Sequence, residues 1–325
     1  MSNAKLIIPN RLVFVWLGGR FPIANLVALR SARTACRPRE LVLIADRLER
    51  DDPQLCELRY WSGFRVLRPR ELLGRELPGW PQGAMSLYRS LDSPAARANL
   101  LRLAFLWSEG GVYLDTDTIT LRDLAPLRRF EGFCGREVLA LPREVAGSRR
   151  ASTWLEAAAR IAARRVCTLL PEPDRAFARI EHLYPQAVNN AVVGSAAGNP
   201  VLARALERCA ELDRVERSKR FRLGTHLLQE VTGNQSSAHM QVLGPQAFYP
   251  LGPEVSVAWF RRGSASRVSE MLGRDTYVLH WYASLEARLE HSIDEEWIRS
   301  ARDDVAFARL AWPWTSPGPT NSAAA

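Results

Sequence analysis

Short apolar runs and stretches of helical periodicity alternate along this chain. Residues 11–17 (RLVFVWL), 40–45 (ELVLIA) and 64–67 (FRVL) are brief runs rich in Val, Leu and Ile, the pattern of strands covered on both faces. Gly18-Gly19 opens the turn after the first run, residues 21–34 carry helical spacing, and the stretch between the second and third runs is helical as well. Strands alternating with helices predict an α/β fold with a mostly parallel central sheet. The Pro- and Gly-rich residues 77–83 read as a loop. Ser93 suits an N-cap and Pro94 the first turn of a helix over residues 95–109. Gly110-Gly111 closes that helix, and residues 112–114 (VYL) follow as a short buried strand.

In the second half, residues 151–170 form an arginine-studded amphipathic helix, 187–195 are strand-like and 200–217 helical. Residues 242–243 and 276–281 are late strands, 285–310 are mostly helical, and the Pro/Ser/Ala-rich 312–325 predict a disordered tail. No internal repeat is present. One domain over residues 5–311 fits this order, with 5–125 as a nucleotide-binding half and 126–311 as a helical, acceptor-binding half.

Composition narrows the field. At 325 residues, 47% hydrophobic and 24% charged, the chain has the make-up of a soluble globular protein with a sizeable core. No run approaches the ~18 apolar residues of a membrane span, so no transmembrane segment is expected, and no signal-peptide pattern opens the chain. Met1–Ala4 read as a cloning remnant. The net charge of +9 invites a nucleic-acid partner, but all but two of the 44 basic residues are arginine, Lys5 and Lys219 being the exceptions. They are scattered in short pairs such as Arg149-Arg150, which reflects coding bias better than a phosphate-binding stripe, so no specific nucleic acid is expected. The five cysteines are odd in number and lack a CxxC, which predicts reduced thiols and a cytoplasmic setting; a secreted effector stays compatible with this.

The chemistry gathers where the VYL strand ends. Asp115 and Asp117 are two apart, so in extended backbone both carboxylates project to one side. Two adjacent like charges at the end of a buried strand are unfavourable without a cation. A hard divalent ion held by a carboxylate or two, its shell completed by phosphate oxygens and water, suits the pair. Mn²⁺ or Mg²⁺ on Asp117, with Asp115 contributing, would stabilise a departing diphosphate. Arg102 shares a helix face with Ala98 and Asn99 upstream.

Three patterns carry a family resemblance. Phe14-Val15-Trp16-Leu17-Gly18-Gly19 resembles the first strand of the large clostridial glucosylating toxins. Ala98-Asn99-Leu100-Leu101-Arg102, followed by Gly110-Gly111-Val112-Tyr113-Leu114-Asp115-Thr116-Asp117, is similar to the Ser-Asp-x-x-Arg…Gly-Gly-x-Tyr-x-Asp-x-Asp block. That block is shared by those toxins and by DXD sugar transferases such as Golgi mannosyl- and α1,4-galactosyltransferases. His280-Trp281-Tyr282-Ala283-Ser284 resembles the family's His-Trp-x-x-Ser ending. The resemblance implies a GT-A fold, a nucleotide-sugar donor (UDP-sugar favoured, through the first strand) and retention of anomeric configuration. It implies that Val15, Trp16 and Leu17 hold the base, that Arg102 reaches sugar or phosphate with Ala98, Asn99 and Tyr113 beside it, and that Asn189 and Asn190 contact the sugar. His280 becomes a third metal ligand or phosphate donor, and Ser284, Trp312 and Trp314 become lid or pocket residues. Asn99 and Ala98 depart from the family's Asp and Ser: an amide donates and accepts hydrogen bonds but brings no charge, which bears on the choice of sugar. Gly224-Thr225 matches a pocket-lining Thr-Gly segment poorly and is set aside.

Two other readings share these residues. Leu114-Asp115-Thr116-Asp117-Thr118 also matches the nucleophile motif of haloacid-dehalogenase-type phosphohydrolases, which need a downstream lysine and a late acidic pair; Lys219 and Asp303-Asp304 are the candidates. A catalytically inactive, basic nucleotide-sugar-binding module is the other. The sequence offers no enzymic nucleophile or general base, which fits a front-face displacement in which the leaving phosphate takes the proton. The acceptor, whether glycan, metabolite or protein side chain, is not specified.

Overall fold

In the computed structural model, residues 6–48, 53–141, 145, 148–233, 235–283, 285 and 293–315 are described. The apolar runs become β1 (Arg11–Trp16), β2 (Glu40–Ala45) and β3 (Phe64–Leu67), and the VYL strand becomes β4 (Gly111–Leu114). These four pair in parallel, β2 to β1 and β3, and β1 to β4. Beyond them come β5 (Thr118–Thr120), β6 (Gly132–Val138), β7 (Gln186–Ser195), β8 (Gln241–Leu243) and β9 (Val278–His280). The main sheet has seven strands in the order β3-β2-β1-β4-β7-β6-β8, and β5 with β9 makes a separate two-stranded sheet. The break in parallel pairing is β7, antiparallel to both β4 and β6.

Helices of eight residues or more in the described chain are α1 (Ile23–Cys36), α2 (Pro94–Glu109), α3 (Ala151–Leu169), α4 (Pro200–Glu211) and α5 (Thr225–Thr232). Alternate residues of β1 serve opposite layers, as extended backbone requires. Leu12 and Phe14 pack with Leu26 and Leu29 of α1 on one face; Val13 and Val15 pack with Leu101 and Phe105 of α2 on the other. A third cluster, around Trp259, Trp281 and Phe307, fills the second half. The expected α/β core with a mostly parallel sheet and added helices is what forms.

Several boundaries differ from expectation. The helix predicted over 200–217 stops at Glu211, and Asp213 caps a new turn over Arg214–Ser218 by accepting from Glu216 N at 2.7 Å. The late strand over 276–281 shrinks to β9, and β5, β6 and α5 were not foreseen. Of the helical stretch 285–310, Glu295–Ala301 and Ala306–Ala311 are helices, whereas 286–292 lie outside the described residues. The predicted tail begins too early: Trp312–Trp314 form a 3₁₀ turn, and Arg30 of α1 donates to Trp314 O at 2.8 Å and to Thr315 O. Residues 316–325 lie outside the described chain.

Candidate active site

Helix α2 buries Leu100, Leu101, Ala104, Phe105 and Leu106 beneath the sheet and ends because Gly110 adopts φ +67, with its N–H on Leu106 O. Gly111 follows at φ +124, where a Cβ would sit 2.9 Å from Arg11 O. This reversal sends the chain straight into β4, whose four residues are all buried. Arg102, one side of α2, and Tyr113 and Asp115, one side of β4, therefore meet.

Their contacts are specific. The Arg102 guanidinium lies 4.0 Å over the Tyr113 ring and donates through Nη2 to Asp115 Oδ1 at 2.6 Å and to Tyr113 Oη at 2.9 Å. The Tyr113 hydroxyl donates to the same Asp115 oxygen at 2.5 Å. Arg102 is only 4% exposed, and its Nε and Nη1 are buried without a hydrogen-bond partner. Unpaired buried donors on a cation are costly, and these are suited to an anion.

The short β5–β9 sheet explains how His280 joins the site from 163 residues downstream. Thr118 pairs with His280 in antiparallel register, so the imidazole is delivered beside Asp117. His280 Nε2 lies 3.0 Å from Asp117 Oδ1, and Ala283 N donates to Asp117 Oδ2 at 2.9 Å. Asp115, Asp117 and His280 each offer one ligand atom, and the three atoms lie within 4.8 Å of one another.

Burial raises the Asp115 carboxyl above its ordinary range; Arg102 pulls against this and neighbouring Asp117 adds to it. At Asp117 burial again acts upward, but the charge and hydrogen bond of His280, with the Ala283 N–H, hold it below the usual carboxylate range. For His280, burial favours the neutral ring, yet Asp117 outweighs it and the imidazole is raised above its usual value.

Strand β7 supplies the amides. Asp115 N donates to Ala191 O at 2.8 Å, fixing β7 against the acidic pair. Its pairing with β6 jumps from Cys134↔Val193 to Gly135↔Asn189, a bulge that re-aims the intervening residues. Asn189 Oδ1 accepts from Ala191 N at 2.7 Å, and Asn190 Nδ2 donates to Asn99 Oδ1 at 2.9 Å. Gly224 abuts this amide pair: a Cβ there would lie 2.7 Å from Asn99 Nδ2 and 3.0 Å from Asn190 Nδ2.

All of this opens into one cavity of about 1130 Å³. Ala98, Asn99, Arg102, Asp115, Asp117, Asn189, Asn190 and His280 line it, and Tyr113 stands behind Asp115 and Arg102. The residues thus come from both halves of the chain. Val15, Trp16 and Leu17 do not line it: Trp16 packs edge-on to Phe21 with ring centroids 5.1 Å apart, and its Nε1 is buried without a partner. Nor do Trp312 and Trp314, which pack with the third core cluster, so the lid reading is not supported by their position. Ser284 lies outside the described residues.

Sequence reasoning missed Glu137 and Tyr282, and it set aside Gly224-Thr225, which do line the cavity. Glu137 is buried on β6, accepts from the Tyr282 hydroxyl at 2.9 Å and is bonded by Asn189; burial raises its carboxyl, against those bonds. Of the residues needed for phosphohydrolase chemistry, Lys219 lines the same cavity but is bonded to Glu216, whereas Asp303 pairs with Arg302 and Asp304 accepts from Gly263 N at 2.6 Å, both outside the lining. Among the described residues, no helix is long and apolar enough to cross a membrane.

No curated protein matches the sequence significantly. Among solved structures, the glycosyltransferase domain of the YGT toxin is 9% identical, with 95% of this chain and 100% of that one covered and a TM-score of 0.45. Mouse xyloside xylosyltransferase 1 is 13% identical, with coverage of 85% and 98% and a TM-score of 0.46. The PaToxG glycosyltransferase is 15% identical over 69% of each chain, with a TM-score of 0.42. Residues 28–134, which hold α2, β4 and both aspartates, match the family described as the glycosyltransferase sugar-binding region containing DXD motif.

Proposed function

We propose that this chain is a metal-dependent glycosyltransferase that moves a hexose or N-acetylhexosamine from a nucleotide sugar, with UDP-sugars favoured, to an acceptor with retention of configuration. The observation that carries the reading is the convergence of Asp115, Asp117 and His280 within 4.8 Å on a cavity lined by Arg102 and three asparagines. Two carboxylates and an imidazole are a fitting donor set for Mn²⁺ or Mg²⁺, with the rest of the shell left to phosphate and water. When bound, the ion supplies Lewis-acid stabilisation of the leaving diphosphate.

The chain's own residues do the rest. Arg102 is held in place by Tyr113 and Asp115, and its free Nε and Nη1 donors serve the donor's phosphate or sugar oxygens. Asn99, Asn189 and Asn190 orient sugar hydroxyls through amides that both donate and accept. Glu137 fixes Asn189 and Tyr282 and so acts as a positioning residue. The preference for UDP rests on the resemblance carried by Phe14–Gly19. The acceptor is a glycan, a metabolite or a protein side chain.

The test is nucleotide release from a panel of UDP- and GDP-sugars with Mn²⁺ or EDTA, and the anomeric coupling of the product by proton NMR. Slow metal-dependent hydrolysis of one donor, giving product of the donor's own configuration, is expected. Equal turnover in EDTA, or an inverted product, overturns the metal or the retention arm respectively; no cleavage and no binding of any donor overturns the whole reading.

A further inference from the structure

Helix α3 is nineteen residues long, yet only Ala157 and Cys167 of it are buried. Its inner face is fixed by Arg160, which donates to Leu183 O, by Arg164, whose Nη1 lies 2.9 Å from Glu254 Oε2, and by Tyr184, whose hydroxyl donates to Arg160 O. The outer face is not polar. Leu155, Ala159, Ala162, Val166 and Leu169 follow one another at intervals of four and three residues, a single stripe along the helix. All five are exposed, Leu155 at 71%, Val166 at 59% and Leu169 at 83%. Trp154 and Leu170 extend the apolar surface at either end, at 47% and 43%. Single exposed leucines are ordinary, but a continuous stripe marks a docking surface.

The rim decides the occupant. Arg149 and Arg150 stand exposed before the helix, Arg165 beside the stripe, and Arg261 at its far end, where it donates to Thr168 O at 2.6 Å. The one acidic residue on the helix, Glu156, is bonded to Arg160 at 3.3 Å. A second copy of this chain would bring two rims of the same sign together. An anionic lipid surface matches both features at once, since apolar side chains enter the headgroup boundary while arginines meet the lipid charge.

We propose that the outer face of α3 docks this protein on anionic membrane surfaces through the Leu155–Leu169 stripe and its arginine rim. Arg164, on the inner face of the same helix, lines the cavity, so docking would leave the site about one helix thickness from the lipid surface. An acceptor carried on or beside a membrane is the class this placement serves.

The test is co-sedimentation of the full chain with vesicles of phosphatidylcholine alone and of equal parts phosphatidylcholine and phosphatidylglycerol. It needs neither donor nor metal, so it stands or falls separately from the transferase reading. Wild type is expected to pellet with the anionic vesicles only, and less as salt rises. Leu169→Asp should reduce the partition coefficient roughly tenfold, and Arg149→Glu with Arg165→Glu should flatten the salt dependence. These side chains are exposed, so unchanged thermal unfolding certifies the variants. The proposal is overturned if wild type stays in the supernatant with both vesicles, or if Leu169→Asp binds as well as wild type. It is equally overturned if light scattering shows a wild-type dimer that Leu169→Asp converts to monomer without any vesicle binding.

Discussion

Replacing Arg102 with Met removes the charge while keeping much of the side-chain volume at a position only 4% exposed. The structure sets the size of the effect. Nη2 makes one hydrogen bond to a carboxylate, at 2.6 Å, and one to a phenol, at 2.9 Å. Bonds of these kinds contribute about 1.5–3 and about 0.5–1.5 kcal/mol respectively, and breaking one side of a buried ion pair costs about 3–5 kcal/mol. The lower part of that range applies. Burial already raises the Asp115 carboxyl, so Asp115 can take up a proton once Arg102 is gone and keep the Tyr113 bond, which trims the loss to about 3 kcal/mol. For a urea slope of about 3 kcal/mol/M, the unfolding midpoint falls by about 1 M. Donor turnover should fall further than stability alone explains, by about a hundredfold or more, if the unpaired Nε and Nη1 of Arg102 serve the reacting phosphate or sugar as proposed. Arg102→Lys keeps the charge but not the two-point geometry, and should recover stability better than turnover. The assays are urea melts followed by tryptophan fluorescence, and initial rates of UDP release at a temperature where both variants are folded. An unchanged midpoint together with unchanged turnover in Arg102→Met would refute the placement of Arg102 at the centre of the site.

Two further outcomes follow from particular contacts. Gly224→Ala would place a Cβ 2.7 Å from Asn99 Nδ2; donor KM should rise severalfold, and an unaltered KM would show that the amide pair does not contact donor. Glu40 accepts from Arg11 and from Arg65 at 2.5 Å, and Arg65 continues to Glu109 at 2.6 Å, tying β1, β2 and β3 to the end of α2. Burial acts upward on Glu40 but the two arginines outweigh it, so its folded pKa lies below the unfolded one. Its contribution is therefore full above about pH 4.3 and is lost as pH falls through the depressed folded value. Glu40→Gln should be less stable than wild type by about 1 kcal/mol at neutral pH, with the gap closing on acidification; a gap that does not vary with pH contradicts this.

How much was legible before the structure depended on how local each signal was. The α2–β4 segment was readable because its helix period, its Gly-Gly stop and its two aspartates lie within one short stretch, and each local preference agrees with the fold. His280 was reached through the His-Trp-x-x-Ser resemblance; nothing in a lone histidine on a short strand announces its pairing with Thr118. Strand β6 escaped because Gly132 and Gly135 interrupt its alternation, and with it went Glu137. Gly135 is there to let Phe248 and Tyr249 approach, with a Cβ 2.6 Å from the Phe248 ring, a tertiary reason that local propensity cannot carry. Trp312 and Trp314 misled in the other direction. Their Pro- and Ser-rich setting reads as tail, but Arg30, far back in α1, holds the Trp314 carbonyl.

In the proposed reaction, Asp115, Asp117 and His280 would hold a divalent ion that grips the diphosphate of a UDP-sugar. Titration calorimetry of UDP into wild type and Asp117→Asn, each with Mn²⁺ and with EDTA, tests it most directly. Wild type should bind UDP with Mn²⁺ and at least about tenfold more weakly in EDTA, and Asp117→Asn should lose that metal-dependent gain while still unfolding cooperatively. UDP affinity that is the same in all four titrations, or no UDP binding by wild type with Mn²⁺, would contradict it.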